Sequence, residues 1–111
     1  MPMTSEEIAA IFPKMATRFL PEKAEGVNAT FQFDLTGDNG GLFWLRVAEG
    51  KCESGLGRAE NPKATLKVNA DDYAAVVSGA LNPIQAFLSG KIKIQGDTGI
   101  VLKLQTMFAN A

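Results

Sequence analysis

Apolar positions along this chain change period several times, and each change marks an element. Near the N-terminus Ile8, Ile11, Phe12, Met15 and Phe19 recur at helical spacing and make one stripe. Ahead of them Thr4-Ser5-Glu6-Glu7 reads as a capping box, with Thr4 as cap and Glu7 at the third helical position. Pro13 falls inside the stripe, where its missing donor predicts a kink or a division of the helix, and Pro21 suits the exit. From Asn28 to Leu35 the period drops to two, with Phe31, Phe33 and Leu35 on one face and Thr30, Gln32 and Asp34 on the other. Leu42 to Val47 is the next strand. It carries Phe43, Leu45 and Val47 on one face and Leu42 and Trp44 on the other, so both faces are expected to be covered at least in part. The glycine-rich stretch 37–41 turns the chain between these strands. Glu49-Gly50 is the loop of a tight hairpin into Lys51–Gly57, whose weak apolar content suits a sheet edge.

After Glu60-Asn61-Pro62, residues Ala64, Leu66 and Val68 alternate with Thr65 and Lys67 as a fourth strand. Asn69 is placed to cap a helix whose first turn holds Asp71 and Asp72, and Tyr73, Val76 and Val77 share a face of it. A short helix follows Asn82-Pro83, with Ile84, Phe87 and Leu88 as its expected apolar face, and Ser89-Gly90 stops it. Lys91 to Gln95 alternates, with Ile92 and Ile94 inward. Gly96-Asp97-Thr98-Gly99 then turns the chain and caps a last helix bearing Ile100, Leu104, Met107 and Phe108 on one face. The order is α-β-β-β-β-α-α-β-α, an α+β fold, and Leu81–Phe108 is the stretch around which the chain is organised. That stretch reads as a wall and a lid.

Composition narrows the chemistry. A chain of 111 residues without internal repeat or long linker is expected to form one domain over 1–111. Eleven Lys and Arg against twelve Asp and Glu leave a net charge of −1, and no basic stretch alternates with exposed aromatics, so no nucleic-acid partner is expected. No run approaches the roughly 18 apolar residues of a membrane span. The N-terminal stretch lacks a secretory pattern and the C-terminal one lacks a short address, which leaves a cytoplasmic location as the default expectation. The absence of histidine removes the usual general base and the commonest zinc ligand, and a lone Cys52 without an imidazole is expected to be a structural thiol. Asp34, Asp38, Asp71 and Asp72 are spaced as strand, turn and cap residues rather than as a metal cage, so neither metal nor cofactor is expected. Gly96–Gly99 reads as a turn and cap rather than an anion site. What is left is apolar: aromatic and methionine side chains on several elements that must meet, either closing into a core or leaving a pocket.

Several segments are similar to the sterol carrier protein 2 (SCP2-like) sterol-binding domain family, over roughly residues 5–108. They are IFPKMATRF, FQFDLTGDNGG, KCESGLGRAENPKATLKVNADDY and, most specifically, VSGALNPIQAFLSGKIKIQGDTGIVLKLQTMF. The resemblance implies a mixed five-stranded sheet with helices packed on one face and an apolar tunnel between them. It implies non-covalent binding, with transfer in some members, of a fatty acid, acyl-CoA, sterol or related lipid. It also implies transient membrane contact and leaves monomer and homodimer open. Carried onto this chain, the tunnel residues are Phe33 and Trp44 on the sheet, and Tyr73, Val77, Ile84, Phe87 and Leu88 on the middle helices. Ile94, Ile100, Leu104, Met107 and Phe108 come from the last strand and helix, with Gln105 as a polar contact. Two other readings stand beside it: a packing or regulatory module without a small-molecule ligand, and an enzyme acting on acyl thioesters, for which no base is positioned.

Overall fold

A computed structural model describes residues 4–108. The elements are α1 (Ser5–Thr17), β1 (Ala29–Thr36), β2 (Gly41–Ala48), β3 (Lys51–Leu56), β4 (Ala64–Asn69), α2 (Ala70–Ser78), α3 (Pro83–Leu88), β5 (Ile92–Gly96) and α4 (Thr98–Leu104), with short 3-10 turns at Pro21–Lys23 and Gln105–Met107. The sheet order is β3-β2-β1-β4-β5. β1 and β4 run parallel while the other neighbours are antiparallel, so the sheet is mixed and β3 is an edge, as its composition suggests.

Local chemistry explains where the elements begin. Thr4 Oγ1 accepts from Glu7 N–H at 3.1 Å and the Glu7 carboxylate accepts from Thr4 N–H at 3.0 Å, completing the capping box. Asn69 Oδ1 accepts from the N–H groups of Asp71 and Asp72, and Asn82 Oδ1 does the same for Ile84 and Gln85. Asp97 Oδ1 accepts from Ile100 N–H at 3.1 Å and starts α4. Of the two outcomes expected at Pro13, division does not occur: α1 runs through it as one helix, with the proline exposed. A second expectation is corrected. The last helix ends at Leu104 and tightens into a 3-10 turn, after which Phe108 is extended and forms an isolated antiparallel bridge with Phe19.

The register separates the two faces. Phe33 pairs with Phe43 and with Leu66, and this row lies on the face covered by the helices. Phe31, Leu45, Val47 and Val68 are buried on that face, against Ile8, Ile11 and Phe12 of α1 and Tyr73 of α2. The opposite face carries the row Gln32–Trp44–Gly55. The connection from β3 to β4 crosses there. Gln32, only 1% exposed, holds that connection: its amide donates to Gly57 C=O and Asp34 Oδ1, and its Oε1 accepts from Ala59 N–H at 2.8 Å. The second face of β2 is thus covered only in part, with Trp44 half-buried over Gly55 and Leu42 exposed.

Candidate functional site

Between the helices and the inner face of the sheet lies a cavity of about 420 Å³. That volume is within the range of small-molecule sites, roughly 300–1,000 Å³. Its floor is Phe33 of β1, Leu66 of β4 and Ile92 of β5. Its walls are Tyr73, Val76 and Val77 of α2, and Val101, Leu104 and Phe108 in and after α4. The α2–α3 connection supplies Gly79, Leu81, Asn82 and Pro83, and the end of α1 supplies Met15 and Arg18.

The floor follows from strand parity: Phe33 and Leu66 are register partners, and Ile92 sits across from Val68 on the next strand. The α1 side is an aromatic stack. Phe12 lies flat against Phe43 at 4.6 Å and against Tyr73 at 5.6 Å between ring centroids, and meets Phe33 tilted at 5.2 Å. Buried Tyr73 donates its hydroxyl to Met15 Sδ at 3.3 Å, and burial pushes its pKa up, so the phenol stays protonated. Phe108 is held by the bridge to Phe19, ring centroids 5.8 Å apart, and by Leu20 N–H donating to Met107 C=O at 2.6 Å.

Among the described residues of the lining, Arg18 is the sole charged side chain. It closes the last turn of α1, its side chain is exposed, and among the described residues no carboxylate pairs with it. The one ion pair among them, Arg58 with Asp34 at 3.7 Å, lies on the opposite face of the sheet. Among the described residues no three His, Cys, Asp or Glu side chains gather as a metal site.

Of the sequence-derived tunnel residues, Phe33, Tyr73, Val77, Leu104 and Phe108 meet around this cavity. Others lie elsewhere, each for a structural reason. Trp44 is one residue from Phe43, the partner of Phe33, and therefore faces the other side of the sheet. On α3 the buried residue is Ala86, whose C=O accepts from Lys91 N–H as the chain turns into β5. With Ala86 turned inward, Ile84 is 54% and Leu88 77% exposed, and Phe87 is half-buried outside the lining. Ile94 and Ile100 pack against the core rather than the cavity. Met107 is wholly buried because the 3-10 turn changes the phase of the last helical face. The side chain of Gln105 lies outside the described residues. Sequence reasoning missed Arg18, Leu81 and Asn82, which stand in a cap or a connection and so belong to no periodic face. It also missed Leu66 and Ile92, though both were legible as inward strand positions.

A one-sheet α+β domain with an apolar cavity between sheet and helices is thus the class of protein defined here. The profile of the SCP-2 sterol transfer family matches residues 12–109, and the chain belongs to that family. Its fold is similar to the sterol carrier protein domain of Helicoverpa armigera, with 30% identity, TM-score 0.69, and coverage of 91% of this chain and 81% of that one. It is also similar to the palmitated sterol carrier protein 2-like 2 of Aedes aegypti, with 23% identity, TM-score 0.73, and coverage of 94% and 93%. Among curated proteins it is 36% identical over 85 residues to hydroxysteroid dehydrogenase-like protein 2 of Xenopus tropicalis, covering 76% of this chain and 20% of that protein. It is 26% identical over 109 residues to the Danio rerio counterpart, covering 97% and 26%. The chain thus spans about a fifth to a quarter of the length of these relatives. Its membership supports lipid binding or transfer as the general activity.

Proposed function

We propose that this domain binds an amphipathic lipid non-covalently, a fatty acid or its thioester ahead of a sterol, with the acyl chain in the cavity and the anionic head at Arg18. The observation that carries this reading is the placement of one unpaired guanidinium beside an otherwise uncharged, largely apolar lining. Arginine offers a carboxylate or phosphate a charge-assisted, two-pronged hydrogen bond. The Aedes aegypti neighbour, described as palmitated, is consistent with an acyl chain in this fold. A chain of about 14 methylenes at ~0.8 kcal/mol each is worth about 11 kcal/mol gross. Association and ordering remove several kcal/mol, which leaves roughly micromolar affinity.

The reading is that of a carrier rather than a catalyst. Among the described residues the lining offers neither carboxylate nor thiol, and its phenol is held by burial and by Met15. The test is native mass spectrometry of the freshly purified protein, then organic extraction and lipid analysis. A stoichiometric acyl lipid is the expected result. Protein that arrives empty and fails to displace a fluorescent fatty acid would overturn the reading and favour a packing module without a ligand.

A further inference from the structure

We propose that α3 is a membrane-docking element that seats the rim of the cavity on an anionic phospholipid bilayer. Ile84 and Leu88 stand four residues apart on this six-residue helix, so they share a side, and they are 54% and 77% exposed. This is the reverse of the face that periodicity predicts, because Ala86 takes the inward position. The same helix begins at the cavity: Asn82 caps it, Pro83 opens it, and both line the pocket with Leu81. Two aliphatic side chains are thus presented to solvent one turn from the place where an apolar ligand would pass.

Charge and size select the partner. From Gly79 to Phe108 the chain carries Lys91, Lys93 and Lys103 against a single carboxylate, Asp97, whereas the whole chain has a net charge of −1. Lys93, across from Lys67, points to the sheet face away from the helices, which leaves Lys91 and Lys103 among these cations for the helix side. Asp97 is engaged with the N-terminus of α4 through Ile100 N–H. Lys91 stands just past the Ser89-Gly90 stop of α3 and is exposed, and Arg18 stands at the cavity. Exposed aliphatics on a helix that Lys91 follows closely in sequence match the requirements of an anionic bilayer surface, where shallow insertion and headgroup attraction act together. A stable protein partner would instead need roughly 800 Å² from this side. That is about an eighth of the accessible surface of 6548 Å², far more than two side chains present. The proposal rests on the lipid-cavity reading for the choice of partner, since a cargo of that kind is drawn from membranes.

The test is co-sedimentation of the purified full chain with vesicles of phosphatidylcholine alone and with added phosphatidylserine. The variants are Ile84→Ser/Leu88→Ser, Lys91→Glu, and Leu56→Ser as a control. Leu56 is 75% exposed but ends the edge strand β3, outside the cavity lining. Wild type and Leu56→Ser are expected to sediment with the phosphatidylserine vesicles. The double variant should lose binding by about tenfold or more, and Lys91→Glu should lose part of it. Displacement of a fluorescent fatty acid in vesicle-free solution should be equal in all four proteins. That assay scores the cavity by itself, so its failure in wild type defeats the lipid reading without deciding the docking result. Docking through α3 is overturned if wild type ignores anionic vesicles, if the double variant binds as wild type does, or if Leu56→Ser weakens binding equally. Loss of a dimer in the double variant, with vesicle binding unchanged, would overturn it in favour of a second copy of the chain.

Discussion

Arg18 and Tyr73 line the same cavity with different duties. The guanidinium is exposed and has no ion-pair partner among the described residues, so it is available to a ligand head, whereas the phenol is committed to Met15 and sealed by Phe12. Arg18→Ala is accordingly expected to weaken binding of a fluorescent fatty acid by about tenfold, in keeping with a charge-assisted bond worth roughly 1.5–3 kcal/mol less its exposure to solvent. Its effect on the corresponding fatty alcohol should be small. Equal losses for acid and alcohol would move the head group away from Arg18. Met107 is buried in the core beyond the cavity lining. Met107→Ala should lower unfolding free energy by about 2–5 kcal/mol in urea titration through the void it leaves, with a much smaller change in ligand selectivity.

Among the elements, α3 and α4 show how far a local pattern carries. The caps at Thr4, Asn69, Asn82 and Asp97 all form, since each needs only a side chain and the N–H groups two or three residues on. The orientation of α3 does not follow from its own sequence. Alternation of large side chains points to Ile84, Phe87 and Leu88, but Ala86 is turned inward as the chain passes into edge strand β5. α4 is the element expected to move when ligand enters, being short, preceded by Gly96 and carrying Gly99 in its first turn. Its far end is tied through Leu20 N–H to Met107 C=O and through the Phe19–Phe108 bridge, so opening would begin at the Asp97 end. Hydrogen exchange should therefore show amides 100–104 gaining protection on loading with lipid, and equal protection with and without lipid would remove α4 from the gating role.

For the molecule as a whole, two groups couple stability to alkaline pH. Burial, with the nearby Glu53 charge adding to it, pushes the Cys52 thiol from 9.0 up to about 11. Burial also raises the Tyr73 phenol. Both groups release their protons earlier in the unfolded chain than in the folded one. Their contribution is therefore fully present below the unfolded values near pH 9–10 and is lost as pH rises through the folded ones. Melting temperature is expected to fall above about pH 9, and to fall less steeply in Tyr73→Phe. A thiol reagent should modify folded wild-type protein slowly at pH 8, because little thiolate exists there. Rapid modification would show that the β2–β3 edge opens readily.

Read alone, the sequence determined the order of elements, nearly all their boundaries, the caps, and the edge position of β3, because these depend on side-chain period and on hydrogen bonds a few residues apart. It also made Phe33, Tyr73, Val77, Leu104 and Phe108 legible as members of facing apolar surfaces. Tertiary structure alone decided whether those surfaces close or leave room, since a cavity is set by the distance between α2, α4 and the sheet. Register decided that Phe33 faces the helices while Trp44 lies on the other side over Gly55. Packing against β5 decided that Ile84 and Leu88 meet solvent. Arg18 took its place at the cavity only when the end of α1 met α2 and α4, a neighbourhood that no window of the chain contains.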